Sequence, residues 1–531
     1  MTEKPHDQQD EEQNAHYQDV ELATVSEPQE PYTTLTKFQQ YSAIAIVTAA
    51  GWAAPFTAVL YLPLVPRLAD QYHVSVQAIN LTITVYLIFQ AVAPWLLSTH
   101  SDTFGRRPIY IGAFTIATLA SLGLSFFQSN YTALITLRAL QSLGTSSILS
   151  VCFGVLSDLR PSSKRGKVFG YVLAFGNVGT AIGPVVGGAV ASGGRSTRWA
   201  FWIMLIFSGA MLTAIVLLLP ETARNVVGNG SVQDRWWNQP LYTMLAMRRQ
   251  ERQTGSNATP EQPQPQLKRK LAFSNPLKAL AIMRFPDTAL TLWQIGASYG
   301  SWYTLQASIP IMFEAAPYSI SEAKIGLCYL PGAAGVVAAM YATGKVMNHN
   351  YEWAERRWLP SPTNATADEK SSEGAASDRP RNDVHDISIF PIERARSRFC
   401  IPLLLIPLLA FPGYGWAIQY HVHIAVPLLL QCIIGFSNIW INNVYCTLIV
   451  DVFPEAPSAA ATAGSIAKCA FGAAAVAALE PLTKATSRGW FFTMVGLLYG
   501  VFGLPAVVLL ERCGLKWRQA RKKRAEGIGA S

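Results

Sequence analysis

Long apolar segments separated by a few polar ones make up most of this chain of 531 residues. A helix needs roughly 20 apolar residues to cross the hydrocarbon core of a bilayer. Twelve segments of suitable length lie near residues 41–63, 76–98, 108–127, 131–156, 167–191, 199–219, 288–315, 323–346, 399–418, 422–449, 457–482 and 488–511. A soluble protein with several buried helices would not keep this density over so many segments. The pattern predicts an all-α polytopic membrane protein with twelve transmembrane helices.

The longest polar interruption, at 221–287, divides the predicted helices into two sets of six. We expect an N-terminal six-helix bundle over 41–220 and a C-terminal one over 288–511. The middle of this longest interruption, GSNATPEQPQPQLKRK, and a second polar segment near 361–383 have compositions that favour disorder. The polar segments are assigned to a disordered cytoplasmic tail (1–40), a cytoplasmic central loop (221–287), a disordered cytoplasmic insertion in the second bundle (347–398) and a basic cytoplasmic tail (512–531).

A faint internal repeat indicates that the two bundles are related. The fourth predicted helix ends in LSDLRPSS, which contains Asp158, and the tenth ends in IVDVFPEAPS, which contains Asp451. The segment after the second helix also carries an acid, which the corresponding segment after the eighth lacks. Repeats of this kind place a substrate site near the middle of the membrane and permit the halves to rock about it. We therefore expect two pseudo-symmetric six-helix bundles.

The distribution of charge predicts the orientation. Basic residues in short loops stay on the cytoplasmic side of a membrane. The connections after the even-numbered helices up to the eighth, and the C-terminal tail, are basic, whereas the opposite connections hold few basic residues. Both termini are therefore expected in the cytoplasm, without a cleavable signal peptide. The net charge of +9 has the same origin, so we discard nucleic-acid binding as its explanation.

Nothing in the residue pattern indicates catalysis. The seven cysteines form no CxxC pair and do not cluster with histidines, so neither a disulfide framework nor a metal site is predicted. The chain contains no GxxxxGK[ST] loop, which argues against ATP-driven pumping. We expect a protein that is not an enzyme and has no cofactor.

The turn after the second predicted helix reads SDTFGRRP. Its glycine lets the chain reverse, and its acid can accept hydrogen bonds from arginine side chains. The turn resembles the loop 2–3 signature of the major facilitator superfamily at Asp102, Gly105, Arg106 and Arg107. The resemblance implies a gating role for these residues. A cytoplasmic anchor with an incidental aspartate is the alternative.

The fourth predicted helix contains an arginine in the sequence RALQSLG. A charge inside a membrane helix is costly, so it normally faces a cavity and is functional. The segment resembles RxxQGxG of the same superfamily, with a departure at Ser142. The resemblance implies that Arg138 and Gln141 act in proton coupling or substrate binding. An arginine that snorkels to the interface is the alternative.

The fifth predicted helix carries a complete G-x8-G-x3-GP-x2-GG pattern, at Gly170, Gly179, Gly183, Pro184, Gly187 and Gly188. Glycines four residues apart lie on one helix face, where a neighbouring helix can pack backbone to backbone, and the proline removes a helical hydrogen bond. In the same superfamily, a pattern similar to this one marks exporters that work as antiporters. A generic packing face of small residues is the alternative.

From 41 to 511 the chain resembles the fungal twelve-spanner drug:proton antiporters. The resemblance rests on segments such as INLTITVYLIFQAVAP, PETARNVVGNGS and LIVDVFPEAPSAAATA, and the branch it resembles most holds quinidine-resistance transporters and citrate exporters. Where relatives commonly have an arginine in helix 11, this chain has Lys468. A lysine is a point charge rather than a bidentate fork, so a relative's substrate cannot simply be copied.

Polar and aromatic side chains inside the apolar segments are candidates for lining a central cavity. They are Trp52, Tyr61, Gln90, Asn177, Trp293, Gln294, Tyr299, Trp302, Tyr303, Asn438 and Asn442, besides Arg138, Gln141 and Lys468. A packing role is the alternative for each of them. Two buried cations with few buried acids suit an anionic or neutral solute better than a cationic drug.

Together these features predict a secondary active transporter that exports a small organic molecule, such as a secondary metabolite, toxin, drug or organic acid, in exchange for protons. Its partners would be that small molecule, protons and the lipid bilayer. It would work as a monomer in the plasma membrane, with the vacuolar membrane as the alternative. A di- or tricarboxylate exporter, an uptake symporter and a transport-derived sensor are the alternative functions.

Overall fold

The computed structural model describes residues 33–98, 100–160, 162–192, 196–228, 239–241, 277–315, 318–358, 390–453 and 456–529. Over these residues the chain forms helices and no strands, which confirms the all-α prediction. Twelve long helices occur where the twelve apolar segments predict them. They are α1 (Lys37–Tyr72, in consecutive segments), α2 (Val76–Leu97), α3 (Arg106–Phe126), α4 (Tyr131–Leu159), α5 (Ser162–Ser192), α6 (Arg198–Leu218), α7 (Pro286–Glu314), α8 (Glu322–Leu327 and Leu330–Trp358), α9 (Cys400–Gln419), α10 (Ala425–Val452), α11 (Pro457–Ala485) and α12 (Arg488–Gly529).

Polar side chains begin several of these helices. The first N–H groups of a helix have no partner within the helix, and oxygen-bearing side chains satisfy them. Thr36 forms a capping box with Gln39 before α1. The Ser75 side chain accepts from the N–H of Ala78 before α2, and the Asn130 side chain accepts from the N–H groups of Thr132 and Ala133 before α4. These residues follow polar breaks in the sequence, so each helix begins near its predicted boundary.

Within the described residues, ten helices are long and apolar enough to cross a membrane by length and composition. The two long helices outside that set are α5 and α7. In α5 only Val178–Ser192 counts as a shorter apolar helix. Along α7 many polar residues are buried in protein contacts, among them Thr288, Thr291, Gln294, Ser298, Ser301, Thr304, Gln306 and Ser308. Because α7 packs on α10, α11 and α12, it does not need a continuous apolar surface.

The helix pairings show the internal repeat directly. In the first half α1 packs on α5, α2 on α4 and α3 on α6. In the second half the helices six positions later pair in the same way, α7 on α11, α8 on α10 and α9 on α12. The contact between halves repeats as well, because α2 packs on α11 and α8 packs on α5. The predicted pair of pseudo-symmetric six-helix bundles is confirmed.

Two helices extend past the apolar segments that predict them. The second part of α8 continues to Trp358, and α12 continues to Gly529, through most of the segment interpreted as a basic tail. A short helix, Ile392–Ser397, precedes α9 and packs on α8, α10 and α12. Parts of 347–398 and 512–531 are therefore regular helices. The segments 1–32, 229–238, 242–276 and 359–389, which include most of the predicted disordered insertion, lie outside the described residues.

Candidate functional site

The two ends of the bundle differ in chemistry. We call the end that carries Arg106, Arg396 and Arg518 the basic end, and the end that carries Arg67 and Glu322 the far end. Odd-numbered helices run from the basic end to the far end, and even-numbered helices run back.

At the basic end of the first half, a buried carboxylate caps the start of α3. Glu221 Oε1 lies 2.8 Å from the backbone N of Arg106, and its Oε2 lies 3.1 Å from the backbone N of Arg107. Glu221 also accepts hydrogen bonds from the N–H groups of Thr222 and Ala223, at 2.9 Å each. A negative group at a helix N-terminus is stabilised by the unpaired N–H groups there. Burial raises the pKa of Glu221, against the lowering effect of these hydrogen bonds.

The loop signature is built around this carboxylate. Gly105 has φ 110°, and a Cβ on it would collide with Glu221 Oε2, so only glycine fits this turn. The Arg106 Nε lies 3.1 Å from Asp158 Oδ2 at the end of α4, which joins two predicted motif residues. The side chain of Asp102 lies outside the described residues. Sequence reasoning missed Glu221, although it stands in the PETARN segment that supports the family resemblance.

Glu221→Ala is expected to destabilise the protein, because four buried N–H groups lose their acceptor. A buried donor left without a partner costs about 1–3 kcal/mol. Glu511→Ala is the matched control, since Glu511 stands at the equivalent end of the second half and accepts the described hydrogen bond from Ser397 Oγ at 2.8 Å. Thermal unfolding in detergent measures both variants. An E221A protein as stable as E511A would contradict the assignment.

The basic end of the second half repeats the ion pair between Arg106 and Asp158 with different residues. Arg396, in the short helix before α9, lies 3.0 Å from Asp451 Oδ2 through its Nη2. Asp451 ends α10 as Asp158 ends α4. The predicted sequence repeat therefore corresponds to equivalent ion pairs, although the arginine donors come from loops that differ in sequence.

In the middle of the first half, Arg138 is fully buried. Its guanidinium carbon lies 4.3 Å from the ring centre of Tyr61 and 4.5 Å from that of Tyr86. Its Nη1 donates to Gln141 Oε1 at 2.7 Å and to the carbonyl of Thr57 at 3.3 Å. Aromatic faces attract cations more strongly where water is excluded. The side chain therefore does not snorkel to an interface, as the alternative interpretation required.

A second cation faces it from the other half. Lys468 on α11 is half-buried, with its Nζ 4.5 Å from the ring centre of Tyr299. Tyr299 contacts Tyr303 at 4.7 Å between ring centres, and Tyr303 is close enough to Arg138 and Tyr86 to interact with them electrostatically. Four tyrosines thus connect the two cations across the interface between the halves. We call Tyr61, Tyr86, Arg138, Tyr299, Tyr303 and Lys468 the tyrosine–cation cluster.

Within the described residues, no ion pair with a carboxylate is found for either cation of the cluster. The Nε and Nη2 atoms of Arg138 are buried and have no hydrogen-bond partner among the residues that the structure describes. Buried polar atoms are normally satisfied, and a buried cation without an acid is especially costly. The site therefore has unused capacity to bind an acceptor or an anion.

The other predicted cavity residues divide into two groups. Asn442 donates to Ser298 Oγ at 3.2 Å and Asn438 to Ser301 Oγ at 3.2 Å, so both join α10 to α7. Gln294 donates to the carbonyl of Gly503 on α12 at 2.7 Å. These three side chains bind neighbouring helices within the second half.

The predicted tryptophans and Gln90 lie in different surroundings. Trp52 stacks on Phe56 at 5.2 Å, Trp293 packs edge to face on Phe471, and Trp302 lies against Gly332 and Gly435. Gln90 is half-buried, and its buried Oε1 has no hydrogen-bond partner within the described part of the chain. The side chain of Asn177 lies outside the described residues.

The glycines of α5 meet two different helices. A Cβ added at Gly179 or Gly183 would lie 2.5 Å or 2.6 Å from side chains of α1, and one at Gly187 would meet the carbonyl of Leu60. This confirms the predicted close packing on a neighbouring helix. On the adjacent face, a Cβ at Gly188 would lie 2.7 Å from the Cα of Gly326 on α8. The pattern therefore brings the two halves together as well.

The far end is closed by contacts between the halves. Arg67 on α1 forms a 3.0 Å ion pair with Glu322 on α8 and donates to the carbonyl of Ala191 on α5. Gln77 on α2 donates to the carbonyl of Ala477 on α11 at 2.8 Å. The ion pairs described at the basic end each join residues of one half only.

A family model described as the Major Facilitator Superfamily matches residues 44–364. The MFS-type transporter tstD of Talaromyces stipitatus is 31% identical over 505 residues, which cover 95% of this chain and 87% of that protein. Citrate exporter 1 of Aspergillus niger is 29% identical over 505 residues, covering 95% and 91%. The fold is similar to that of the E. coli xylose transporter XylE in a partially occluded inward open conformation, with a TM-score of 0.53 and 13% identity over 89% of this chain and 98% of that one. The chain therefore belongs to the Major Facilitator Superfamily and is an integral membrane transporter, not an enzyme.

Proposed function

We propose that this transporter exports a small organic molecule from the cytoplasm in exchange for protons, and that the molecule binds at the tyrosine–cation cluster. The observation that supports it most is the pair of cations contributed by opposite halves, the fully buried Arg138 and the half-buried Lys468. A ligand held by both would touch both rocking bodies, as alternating access requires. The outward direction rests on the glycine–proline pattern of α5.

The charge of the cluster favours an organic acid as the substrate. Arg138 and Lys468 have no ion pair within the described residues. A carboxylate would satisfy the N–H groups of Arg138 that lack a partner there, and its charge-assisted hydrogen bonds would be stronger in a low-dielectric site than in water. The four tyrosine rings offer apolar faces with polar edges, which suit a planar or amphipathic body. A di- or tricarboxylate exporter is the second candidate, favoured by the same cations and by the citrate exporter among the relatives.

The described conformation suggests which step of the cycle is present. We take the basic end as cytoplasmic, since basic loops stay on that side, and both termini with it. The far end is then external and is closed by Arg67, Glu322, Gly188 and Gly326. The substrate would load from the cytoplasm in this state, and separation of α5 from α8 would release it outside.

Several finer features of the sequence interpretation are part of this proposal. The proposed bundles span 41–220 and 288–511 with the loop 221–287 between them, and α7 and α12 extend past the limits of the second bundle. Asp102, Gly105, Arg106 and Arg107 act in gating at the cytoplasmic side. The protein works as a monomer in the plasma membrane, with the vacuolar membrane as the second location.

Exchanging the charges of the far-end ion pair is expected to be tolerated better than breaking it. Glu322→Arg places two cations together and weakens closure, whereas R67E/E322R restores an opposite-charge pair. The side chains are 29% and 30% exposed, and a partly exposed pair contributes up to about 1 kcal/mol, or about fivefold in an equilibrium. Transport rates of the three proteins measure this. A double variant no faster than the single one would argue against a role for this ion pair in holding the far end closed.

The extracellular metabolites of a deletion strain test the export function. Loss of this gene should lower one or more organic acids outside the cells and raise them inside. A protonophore should abolish the difference between the deletion and parent strains. Unchanged export of every compound would remove the exporter proposal, and reduced uptake in the deletion strain would favour a symporter instead.

A further inference from the structure

The last helix is much longer than a membrane requires. The helix α12 spans 42 residues, or about 63 Å at 1.5 Å per residue, whereas the hydrocarbon core is about 30 Å thick. Its apolar part ends at Leu510, and the following turns carry Arg512, Lys516, Arg518, Arg521 and Lys523 among other residues. We call the part from Arg512 to Arg524 the basic extension.

One face of the basic extension is held against the rest of the second half. Arg518 Nη2 lies 3.2 Å from Glu393 Oε2 and donates to the carbonyl of Phe390 at 2.7 Å. Arg521 Nη1 lies 2.9 Å from Asp287 Oδ2. These arginines are three residues apart and share one side of the helix. The acids come from two separate segments, so they fix both the position and the rotation of the extension.

These contacts place the extension beside the lipid headgroups. Arg521 meets Asp287 in the first turn of α7 and the carbonyl of Val452 at the end of α10. Membrane helices enter and leave the bilayer near their ends, so Arg521 lies level with the boundary of two neighbouring spans. From Arg512 to Lys523 the helix rises about 16 Å. That stretch lies beside the layer between the hydrocarbon core and water.

The side of α12 opposite Arg518 and Arg521 is apolar along the membrane-spanning part and basic along the extension. Exposed apolar residues follow one another at helical spacing down the lipid-facing side of α12, at Trp490, Met494, Leu498, Val501 and Leu509. Arg512 follows Leu509 by three residues, and Lys516 and Lys523 continue at intervals of four and seven. Residues at these intervals lie on the same side of a helix. All three cations are exposed.

We propose that Arg512, Lys516 and Lys523, the basic face, bind headgroups of anionic phospholipids in the leaflet at the basic end. Within the described residues, no hydrogen bond or ion pair involves these side chains, whereas the cations on the inward face are neutralised by acids. Basic clusters directly beyond a membrane helix attract anionic lipids. Long basic side chains reach the headgroups while their stems cover apolar surface.

The basic face does more here than orient the protein. Orientation depends on the number of basic residues near a helix end and not on which side of the helix carries them. Here the inward arginines hold the helix so that the cations on the lipid-facing stripe point at the headgroups. Binding should therefore depend on position around the helix as well as on charge.

Lipid binding to the purified full-length protein tests this. Native mass spectrometry of the protein in neutral detergent would compare phosphatidylserine with phosphatidylcholine as added lipids. The variant R512Q/K516Q/K523Q is expected to bind phosphatidylserine roughly a hundredfold more weakly, with phosphatidylcholine binding unchanged. R512K/K516R/K523R keeps the charges and should bind as the unmodified protein does. Thermal unfolding confirms that the variants fold.

A charge-matched control and a competitor make the result specific. K37Q/K345Q/R356Q removes three exposed cations from the same end but from other helices, and it should keep phosphatidylserine binding. Equal loss in both triple variants would show that total charge alone matters and would overturn the proposal. Displacement of the lipid by inorganic phosphate at equal concentration would do so too, because the site would then bind free phosphate. None of these measurements depends on transport.

Discussion

Arg138→Gln is expected to lower transport at low substrate concentration at least tenfold while leaving the fold intact. The guanidinium is fully buried between Tyr61 and Tyr86 and bonded to Gln141. Because a buried cation without an acid is costly to desolvate, a neutral side chain at this position removes that cost and should leave the protein folded. The substrate, however, loses a charge-assisted hydrogen bond worth about 1.5–3 kcal/mol, or roughly tenfold to a hundredfold in affinity. Initial rates in vesicles, with unfolding curves alongside, measure both properties.

A matched control separates this effect from the loss of any cation–aromatic contact. Arg398 lies 3.9 Å from the ring centre of Trp353 but at the exposed basic end. Arg398→Gln should transport normally. Arg138→Lys keeps the charge but loses the planar fork, and an intermediate rate is expected. A folded R138Q protein with more than half the normal rate would remove Arg138 from the substrate site.

Gly188→Val is expected to stop transport by holding the far end open. A Cβ at this position would lie 2.7 Å from the Cα of Gly326 and 2.8 Å from the carbonyl of Glu322. Both atoms belong to the backbone of α8, so no side chain can move aside. Overpacking typically costs about 1–3 kcal/mol, which here destabilises only the state in which α5 and α8 touch. The reporter is a single cysteine introduced by Ala477→Cys in a protein without its seven native cysteines. With G188V, this cysteine should react faster with an impermeant maleimide than it does in the protein that keeps Gly188.

Gly176 supplies the control on the same helix. A Cβ there would meet nothing within 4 Å, so G176V carries the same change of helix propensity without a clash between the halves. It should keep both transport and the slow maleimide reaction. If G188V were labelled no faster than G176V, the contact between α5 and α8 would not control closure.

The sequence predicted the helices well because each is a local property. Their positions follow from apolar runs and from caps such as Thr36 and Asn130. Even α5 and α7, the two long helices outside the set apolar enough to cross a membrane, were predicted from the apolar runs at 167–191 and 288–315. The extended end of α12 was not predicted, because the ion pairs that hold Arg518 and Arg521 involve residues more than a hundred positions earlier.

The site was predicted only in part. Arg138, Gln141 and Lys468 stand out as charged or polar residues in apolar segments, but Tyr86 resembles any aromatic residue in a membrane helix. Its role appears only when α2 lies beside α4. Along α7 nearly all sides are buried, so the sequence pattern distinguishes no face that would line the site. Glu221 acts on Arg106 across 115 positions, a distance that no local pattern spans.

We propose that a proton gradient moves an organic anion through a site made by both halves. The most direct measurement is uptake of labelled citrate and of an aromatic carboxylate into vesicles that contain the purified protein and are acidic inside. We predict accumulation of at least one carboxylate that requires the gradient, stops with a protonophore and is lost in R138Q and in Lys468→Gln. Accumulation of cationic compounds only, or carboxylate uptake indifferent to the gradient and to both substitutions, would contradict the account.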